Sequence, residues 1–346
     1  MTREYPGFTD PNSTESTLSD AEIYTVLTFT ERVIVSTVVI ITTTCGFVGN
    51  TTVIASILLS KRLRTVCNAF VFNLCVADLL TCLAGPWMAV AFMSVDGWKL
   101  PDVICSGISF IGISCIGCSI YTLATIAVSR LILISCARPS YEAFYTRKTI
   151  AVIISITWVV PTAMASLPPI FGVGNLGYDK RFSSCTWDPT HPLSRTYSLL
   201  LSAVIYPVPL MIISVSYAMV FAKIRRHNRV IAVNENLSVS KSSGSGDPNS
   251  TPGGTASGVT PPPHRIPERQ LQVTRNMFLI VLAFVVCLTP YGASLIATNS
   301  DEFIVYGALI MVANSSINPI IYSTKHPELK YVMKCVILCQ FRLIRR

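Results

Sequence analysis

The sequence predicts an all-α membrane protein, a bundle of seven transmembrane helices followed by a short amphipathic helix. Hydrophobic residues make up 51% of the 346 residues and charged residues only 13%, whereas soluble domains carry about 25% charged residues. Seven stretches of at least 22 residues contain almost no charge, and about 20 helical residues cross a bilayer core. A soluble chain of this length cannot bury seven such helices.

The predicted spans follow one another along most of the chain. They cover Val33–Ser60, Thr65–Val95 (broken by Asp78), Val103–Ser129, Thr149–Asp179, Thr196–Ala222, Asn276–Ser300 and Phe303–Thr324.

Charge on the connecting segments predicts the orientation of these spans. With the N-terminus outside, the cytoplasmic segments carry 21 Lys/Arg and five acids, and the external segments carry six Lys/Arg and twelve acids. Positive residues concentrate on the cytoplasmic side of membrane proteins. We therefore expect a multi-pass protein of the plasma membrane with an external N-terminus, and the net charge of +9 reflects anionic inner lipid, not nucleic acid.

Three regions flank or interrupt the transmembrane domain, which is predicted over residues 33–324. Residues 1–32 form an external tail with a glycosylation sequon at Asn12. Residues from about 226 to 274 are rich in Gly, Ser and Pro, a composition that predicts a disordered third cytoplasmic loop. Its basic ends are candidates to extend the fifth and sixth helices into water.

The last region, 325–346, predicts an amphipathic helix and a cytoplasmic tail. Apolar residues from Leu329 to Ile337 recur at helical spacing, while Lys330 and Lys334 fall on another face. This pattern is typical of a helix in the inner headgroup region. Cys335 and Cys339 are candidates for palmitoylation there, although cysteines near membranes are often unmodified.

Polar residues inside the spans carry most of the functional signal, because charge at bilayer depth is costly. Asp78 is the only acid within a span. One landmark or more in each span, in order along the chain, resembles the rhodopsin-like (class A) G-protein-coupled receptors. These landmarks are Asn50, Asp78, Ser119 with Arg130, Trp158, Pro209 with Tyr217, Phe284 with Pro290, and Asn314 with Asn318, Pro319 and Tyr322.

The resemblance implies two internal sites. Asp78, Ser119, Asn314 and Asn318 would hold a sodium ion as an allosteric ligand, and their oxygens suit a hard cation; no other cofactor is expected. The second site, at the inner end, would rearrange to bind a G protein. Its Arg130 has a planar guanidinium that suits backbone carbonyls of a partner. The other residues implied in this rearrangement are Tyr217, Phe284, Pro290, Asn318, Pro319 and Tyr322.

The resemblance also implies a disulfide between Cys105 and Cys185, which would hold the second external loop over the outer mouth. Three positions depart from the family pattern. Ser129 and Leu131 flank Arg130 where an acid and an aromatic residue are usual, and Leu288 stands where Trp is common. Ser129 cannot form a salt bridge with Arg130, so we expect a less restrained inactive state.

The predicted ligand pocket is apolar. Its candidate residues are Gly112, Ile113, Ile116, Leu201, Ile205, Leu288, Tyr291, Leu295, Ala308 and Met311. This lining favours a hydrophobic small molecule. Gly112 offers no acid to a biogenic amine, and Val312 replaces the lysine that holds retinal in opsins. Weaker likeness to opsin- and melatonin-type receptors runs through parts of the chain.

The resemblance implies a receptor that converts binding of an extracellular ligand into activation of a heterotrimeric G protein, with arrestin and receptor kinases as further partners. Two alternatives of the same fold are a peptide receptor that uses charged outer loops and an atypical receptor that engages arrestin without G-protein activation. A carrier or channel would need more ionisable groups at depth. An enzyme is not expected, since the four histidines lie outside the spans and no acid/base or metal constellation lies within them.

Overall fold

The computed structural model describes residues 25–188, 191–242, 268–296 and 301–344, and these residues form a bundle of helices. The helices are α1 Phe29–Leu59, α2 Val66–Met93, α3 Asp102–Ser135, α4 Arg138–Phe144, α5 Arg147–Phe171, α6 Ser194–Ile205, α7 Pro207–Ser242, α8 Glu268–Ile296, α9 Asp301–Lys325 and α10 Pro327–Ile337. Seven helices of the described ranges are long and apolar enough to cross a membrane. The predicted fold class is therefore confirmed.

Several helices begin where a side chain can satisfy the free backbone amides of a first turn. Thr28 and Glu31 form a capping box at the start of α1, and Thr65 accepts a bond from the Asn68 amide at the start of α2. His326 caps α10 by accepting from the Leu329 amide at 3.3 Å. These caps place the helix starts close to the predicted span boundaries.

The fourth predicted span, Thr149–Asp179, is too long, and this expectation is corrected. The helix α5 ends at Phe171, and an antiparallel hairpin of β1 Leu176–Asp179 and β2 Ser184–Trp187 follows. The glycines Gly172 and Gly174 adopt positive φ between the two, a backbone conformation that ends a helix readily. The uncharged run thus continues past the membrane into the external loop.

The fifth predicted span is also divided, and its helix extends beyond the span at the inner end, as the basic residues there suggested. The residue Tyr206 separates α6 from α7, and Pro207 and Pro209 begin the second piece. The helix α7 continues to Ser242 and α8 begins at Glu268. The predicted loop 226–274 is therefore helical at both ends, and its middle lies outside the described residues.

The helix α3 occupies the centre of the bundle. It packs against α2, α5, α7, α8 and both hairpin strands, while α1 packs against α2 and α9, and α10 folds back against α1. A Cβ atom added at Gly117 of α3 would lie 2.3 Å from Cβ of Pro161 on α5, so only glycine allows this approach. The tight contact positions the lower half of α3, which carries Ser119 and Arg130.

Candidate functional site

Asp78 lies at the centre of a polar cluster in the middle of the bundle. Its side chain is 1% exposed. One carboxylate oxygen accepts bonds from Ser119 Oγ at 3.5 Å and Ser315 Oγ at 3.1 Å, and the other accepts from Asn318 Nδ2 at 2.8 Å. The carboxylate therefore joins α2, α3 and α9 through hydrogen bonds to neutral groups.

Asn314 was predicted to accompany Asp78, but the structure gives the direct bond to Ser315. Sequence reasoning missed Ser315, although it lies three residues before Asn318 and thus on the same face of α9. Its own backbone carbonyl accepts a 2.8 Å bond from Asn50 Nδ2. The landmark residue of α1 is thereby connected to the same cluster through the α9 backbone.

A small cavity lies beside this cluster. It offers about 20 Å³ to the centre of a water-sized sphere, which is room for one water molecule or a small ion. Its walls are Asp78, Thr81, Ile116, Ser119, Phe284, Leu288, Met311, Val312, Asn314 and Ser315. Within the described part of the chain, the side-chain oxygens of Asn314 and Asn318 are buried without a hydrogen-bond partner.

This donor set fits a sodium ion. A hard cation binds oxygen ligands, and the cavity wall presents the carboxylate of Asp78 and the unpartnered amide oxygen of Asn314. The hydroxyls of Ser119 and Ser315 also line the cavity and donate to Asp78. Of the four predicted ligands, three line the cavity and Asn318 is bonded to the carboxylate.

The predicted ligand pocket meets this cavity. Ile116, Leu288 and Met311 line it, and Ile113 packs against the same hydrophobic core. Ile205, the last residue of α6, lies against α3, because a Cβ atom at Gly117 would come within 3.6 Å of its Cδ1 atom. A Cβ atom at Gly112 would meet nothing within 4 Å, so open space adjoins this position.

Among the remaining predicted pocket residues, Tyr291 and Ala308 are not in the described lining of this cavity. Tyr291 and Ala308 are half-buried, and the backbone of Tyr291 lies close to Gly307 of α9. The side chains of Leu201 and Leu295 lie outside the described residues. The structure thus brings together the deep part of the pocket, from Ile116 to Met311, and leaves the full extent of its outer part a prediction.

The outer end of the bundle is covered by the hairpin. Cys105 and Cys185 form the expected disulfide, with Cα atoms 5.2 Å apart. Tyr178 donates to the Ser94 carbonyl at 3.0 Å, and Ser106 donates to the Leu176 carbonyl at 2.6 Å. The bonds fasten the hairpin to α2 and α3, so the second external loop is held over the outer end.

The segment before α1 adds a second cover. Leu27 is buried in a cluster with residues of α1, α2 and α9, and the Val26 amide donates to the Arg181 carbonyl at 3.0 Å. At the same turn, burial raises the pKa of the Asp179 carboxyl, although the backbone amides of Arg181 and Phe182 act in the opposite direction. The predicted glycosylation acceptor Asn12 lies outside the described residues.

The inner end carries a second set of buried polar atoms. Arg130 is 5% exposed, and Tyr217 and Tyr322 are 3% and 1% exposed. Across the described ranges, Arg130 Nε and both tyrosine hydroxyls are buried without a hydrogen-bond partner. Unsatisfied buried polar groups are costly, so this arrangement is suited to a rearrangement that provides partners.

Ser129 has a partner that the sequence did not reveal. Its hydroxyl lies 3.0 Å from the hydroxyl of Tyr141, and Tyr141 belongs to the short helix α4 of the second internal loop. The Tyr141 ring packs against Tyr145 at a centroid distance of 4.7 Å. Ser129 therefore anchors the internal loop instead of pairing with Arg130, and no salt bridge to Arg130 occurs among the described residues.

Two of the predicted prolines lie inside helices. Pro290 stands inside α8 and Pro319 inside α9, and proline removes one helical hydrogen bond at each place. Phe284 is buried one helical turn from Leu288 and lines the cavity with it. These positions put flexible points of α8 and α9 next to the cavity.

The C-terminal helix α10 has the predicted two faces. Leu329, Val332 and Met333 are buried, whereas Lys330 and Lys334 are exposed. The thiol of Cys335 is buried in the core and that of Cys339 is exposed. Acylation stays a prediction, and Cys339 is the more accessible of the two candidates.

Together, the fold and the two clusters define a seven-helix membrane receptor bundle. The family model described as 7 transmembrane receptor (rhodopsin family) matches residues 49–322. The chain belongs to this rhodopsin family, and the predicted resemblance is confirmed.

Individual relatives support the same family. The chain is 27% identical to the G-protein coupled receptor moody of Drosophila pseudoobscura pseudoobscura over 85% of this chain and 51% of that protein. It is 27% identical to melatonin receptor type 1B of Mus musculus over 88% of this chain and 77% of the receptor. The first curated relatives that it matches are covered over about half their length.

The crystal structure of squid rhodopsin has the same fold. It matches with a TM-score of 0.74 and 17% identity, over 96% of this chain and 93% of that structure. The family consists of receptors rather than enzymes. This agrees with the prediction from the sequence that the chain is not an enzyme.

Proposed function

We propose that the chain is a signalling receptor that couples an external hydrophobic small molecule to a heterotrimeric G protein. The observation that carries the proposal is that α3 and α9 each connect the cavity to the inner polar cluster. The helix α3 carries Ile116 and Arg130, and α9 carries Met311 and Tyr322. A ligand that shifts either helix near the cavity would move a buried, unsatisfied group about 15 to 20 Å away, at 1.5 Å per helical residue.

The cavity wall supports a ligand of mainly apolar character. Ile116, Leu288 and Met311 provide hydrocarbon surface, and open space adjoins Gly112. An amine bound beside Gly112 would have no acid there to pair with its charge. The similarity to receptors named for melatonin is in keeping with a small molecule, and the covered outer end disfavours a peptide that reaches the core.

A sodium ion at Asp78 is part of the proposal. An ion bound there would favour the arrangement in which α2, α3 and α9 converge on the carboxylate. A ligand or partner that separates these helices would then compete with the ion.

Coupling is tested in cells that carry sensors for dissociation of each G-protein class. The wild type is compared with Arg130→Ala, and Arg62→Ala is the matched control because Arg62 is an exposed cation of the first internal loop. Surface expression is measured for every variant. We expect a basal signal in at least one class that Arg130→Ala removes and Arg62→Ala retains.

An equal signal in all three proteins would contradict a role for Arg130. Recruitment of arrestin by the wild type, without any G-protein signal, would instead support the atypical receptor, the alternative left open by Ser129 and Leu131 on either side of Arg130.

A further inference from the structure

The predicted ligand pocket and the predicted cation site share one cavity. Ile116, Leu288 and Met311 belong to the first site, and Asp78 and Asn314 belong to the second, yet all five line the same cavity. Sequence reasoning treated the two sites as separate. Their contact means that a ligand lying against the apolar residues has a polar end within reach.

One buried acceptor at the polar end of the cavity has no hydrogen-bond donor among the described residues. The Ser119 and Ser315 hydroxyls already donate to Asp78, and the Thr81 hydroxyl donates to the Ala77 carbonyl. The Asn314 side-chain oxygen is an acceptor in a residue that is 5% exposed, and no described residue donates to it. An occupant that donates one hydrogen bond would satisfy this group.

The described apolar part of the cavity wall contains no indole. It consists of Ile116, Phe284, Leu288, Met311 and Val312. A leucine occupies much less volume than the indole common at this position, and methionine adapts its shape to a neighbour. A narrow hydrocarbon chain can therefore pass Leu288, whereas an indole at this position would block it.

We propose that this cavity is the deep end of the ligand site and that it takes the hydroxyl tip of an elongated hydrocarbon ligand. The hydroxyl donates to Asn314 Oδ1, and the hydrocarbon lies along Ile116, Leu288 and Met311. Asp78 already accepts three bonds from neutral donors, so a neutral tip leaves this network intact, and it takes the place of the proposed sodium ion, which would use the same Asn314 oxygen. The inference rests on the proposed receptor function for the role of the ligand.

Photolabelling of the purified full-length receptor tests the site without any signalling readout. The probe is a medium-chain alkanol that carries a diazirine, and labelled peptides are located by mass spectrometry. We expect label near Ile116, Leu288 and Met311. Octanol should protect these peptides about fivefold to tenfold better than octane, since one hydrogen bond contributes about 1 kcal/mol.

Three variants sharpen the experiment. Asn314→Leu should remove the difference between octanol and octane, and Leu288→Trp should abolish protected labelling of the cavity. Leu282→Trp introduces the same residue on the exposed side of α8, where Leu282 is 45% exposed, and should leave labelling unchanged. Ile116→Trp serves as a second blocking variant if Leu288→Trp fails to fold.

Equal protection by octane and octanol in the wild type would overturn the proposal, as would cavity labelling that persists in a folded Leu288→Trp or Ile116→Trp variant. Labelling confined to lipid-facing residues would do the same. Because no G protein takes part, a receptor that labels as expected but does not signal would contradict the proposed function and leave the binding site standing.

Discussion

At the scale of single residues, the inner end differs from its family pattern at Ser129. The Ser129 hydroxyl is used by Tyr141 of α4 at 3.0 Å, and Arg130 Nε stays unsatisfied among the described residues. An acid at position 129 would place a negative charge beside a buried guanidinium, where charge pairs interact strongly. The missing acid therefore leaves Arg130 more easily rearranged.

Replacement of Ser129 by Asp is expected to lower basal G-protein signalling. A partly buried pair that stabilises the resting state by about 1.4 kcal/mol would reduce the active population about tenfold. Ser129→Asn is the control, because it has the size of Asp without its charge. Basal sensor signals normalised to surface expression measure the effect, and equal values for the Asp and Asn variants would count against a charge-based restraint.

Gly117 illustrates how one residue determines the distance between two helices. We expect Gly117→Ala to lower the unfolding free energy by about 1 to 3 kcal/mol, the usual cost of overpacking, because its Cβ atom would lie 2.3 Å from Pro161 Cβ. Gly112→Ala on the same helix adds the same methyl group into open space. Thermal unfolding of the purified proteins in detergent compares them, and equal melting temperatures would refute the close contact.

At the scale of secondary-structure elements, α6, α7 and α8 meet at two adjacent breaks. Tyr206 stands between α6 and α7, and its hydroxyl lies 3.3 Å from Thr289 Oγ1 next to Pro290 of α8. The Thr289 hydroxyl in turn bonds the Val285 carbonyl at 2.7 Å. The contact links the irregular point of the fifth span to that of the sixth.

A double-mutant cycle measures this link. Tyr206→Phe and Thr289→Val each remove one hydroxyl, and each should destabilise the bundle slightly. Interhelical hydrogen bonds in membranes contribute about 0.6 kcal/mol, so the double variant should lose less than the sum of the single variants by about that amount. Unfolding equilibria in mixed detergent provide the free energies, and strict additivity would show that the two hydroxyls do not interact.

The elements also show which parts of the fold were readable from sequence. Long uncharged runs predict the spans because a bilayer requires internal hydrogen bonding and an apolar surface. The same rule fails between Phe171 and Asp179, because this stretch carries no charge before Asp179 although the helix has ended and the strand β1 has begun. It also misses the break at Tyr206, because apolar composition does not distinguish one continuous helix from two consecutive helices.

The candidate site was predictable in part for a similar reason. Asp78 and Asn318 stand out as costly groups at depth, and the structure joins them at 2.8 Å. Ser315 and Tyr141 were missed because a hydroxyl is common in membrane helices and gains meaning only from its neighbours. The shared cavity of Leu288 and Asn314 likewise depends on the relative rotation of α8 and α9, which sequence spacing does not determine.

At the scale of the whole molecule, the bundle is covered at its outer end and contains buried polar clusters in its interior. The hairpin and the segment at Leu27 cover the outer end, the cavity occupies the middle, and the Arg130 cluster lies at the inner end. The strong excess of basic residues on the predicted cytoplasmic segments orients this axis in the membrane. A signal would travel from outside to inside along α3 and α9.

The most direct test of this account is reconstitution of the purified receptor in lipid nanodiscs with purified heterotrimeric G proteins. The rate of guanine-nucleotide exchange is measured for the wild type, Arg130→Ala and Arg62→Ala at equal receptor concentration. We expect faster exchange with the wild type and Arg62→Ala than with Arg130→Ala, for at least one G protein. Identical rates with and without receptor, across all G-protein classes, would contradict it.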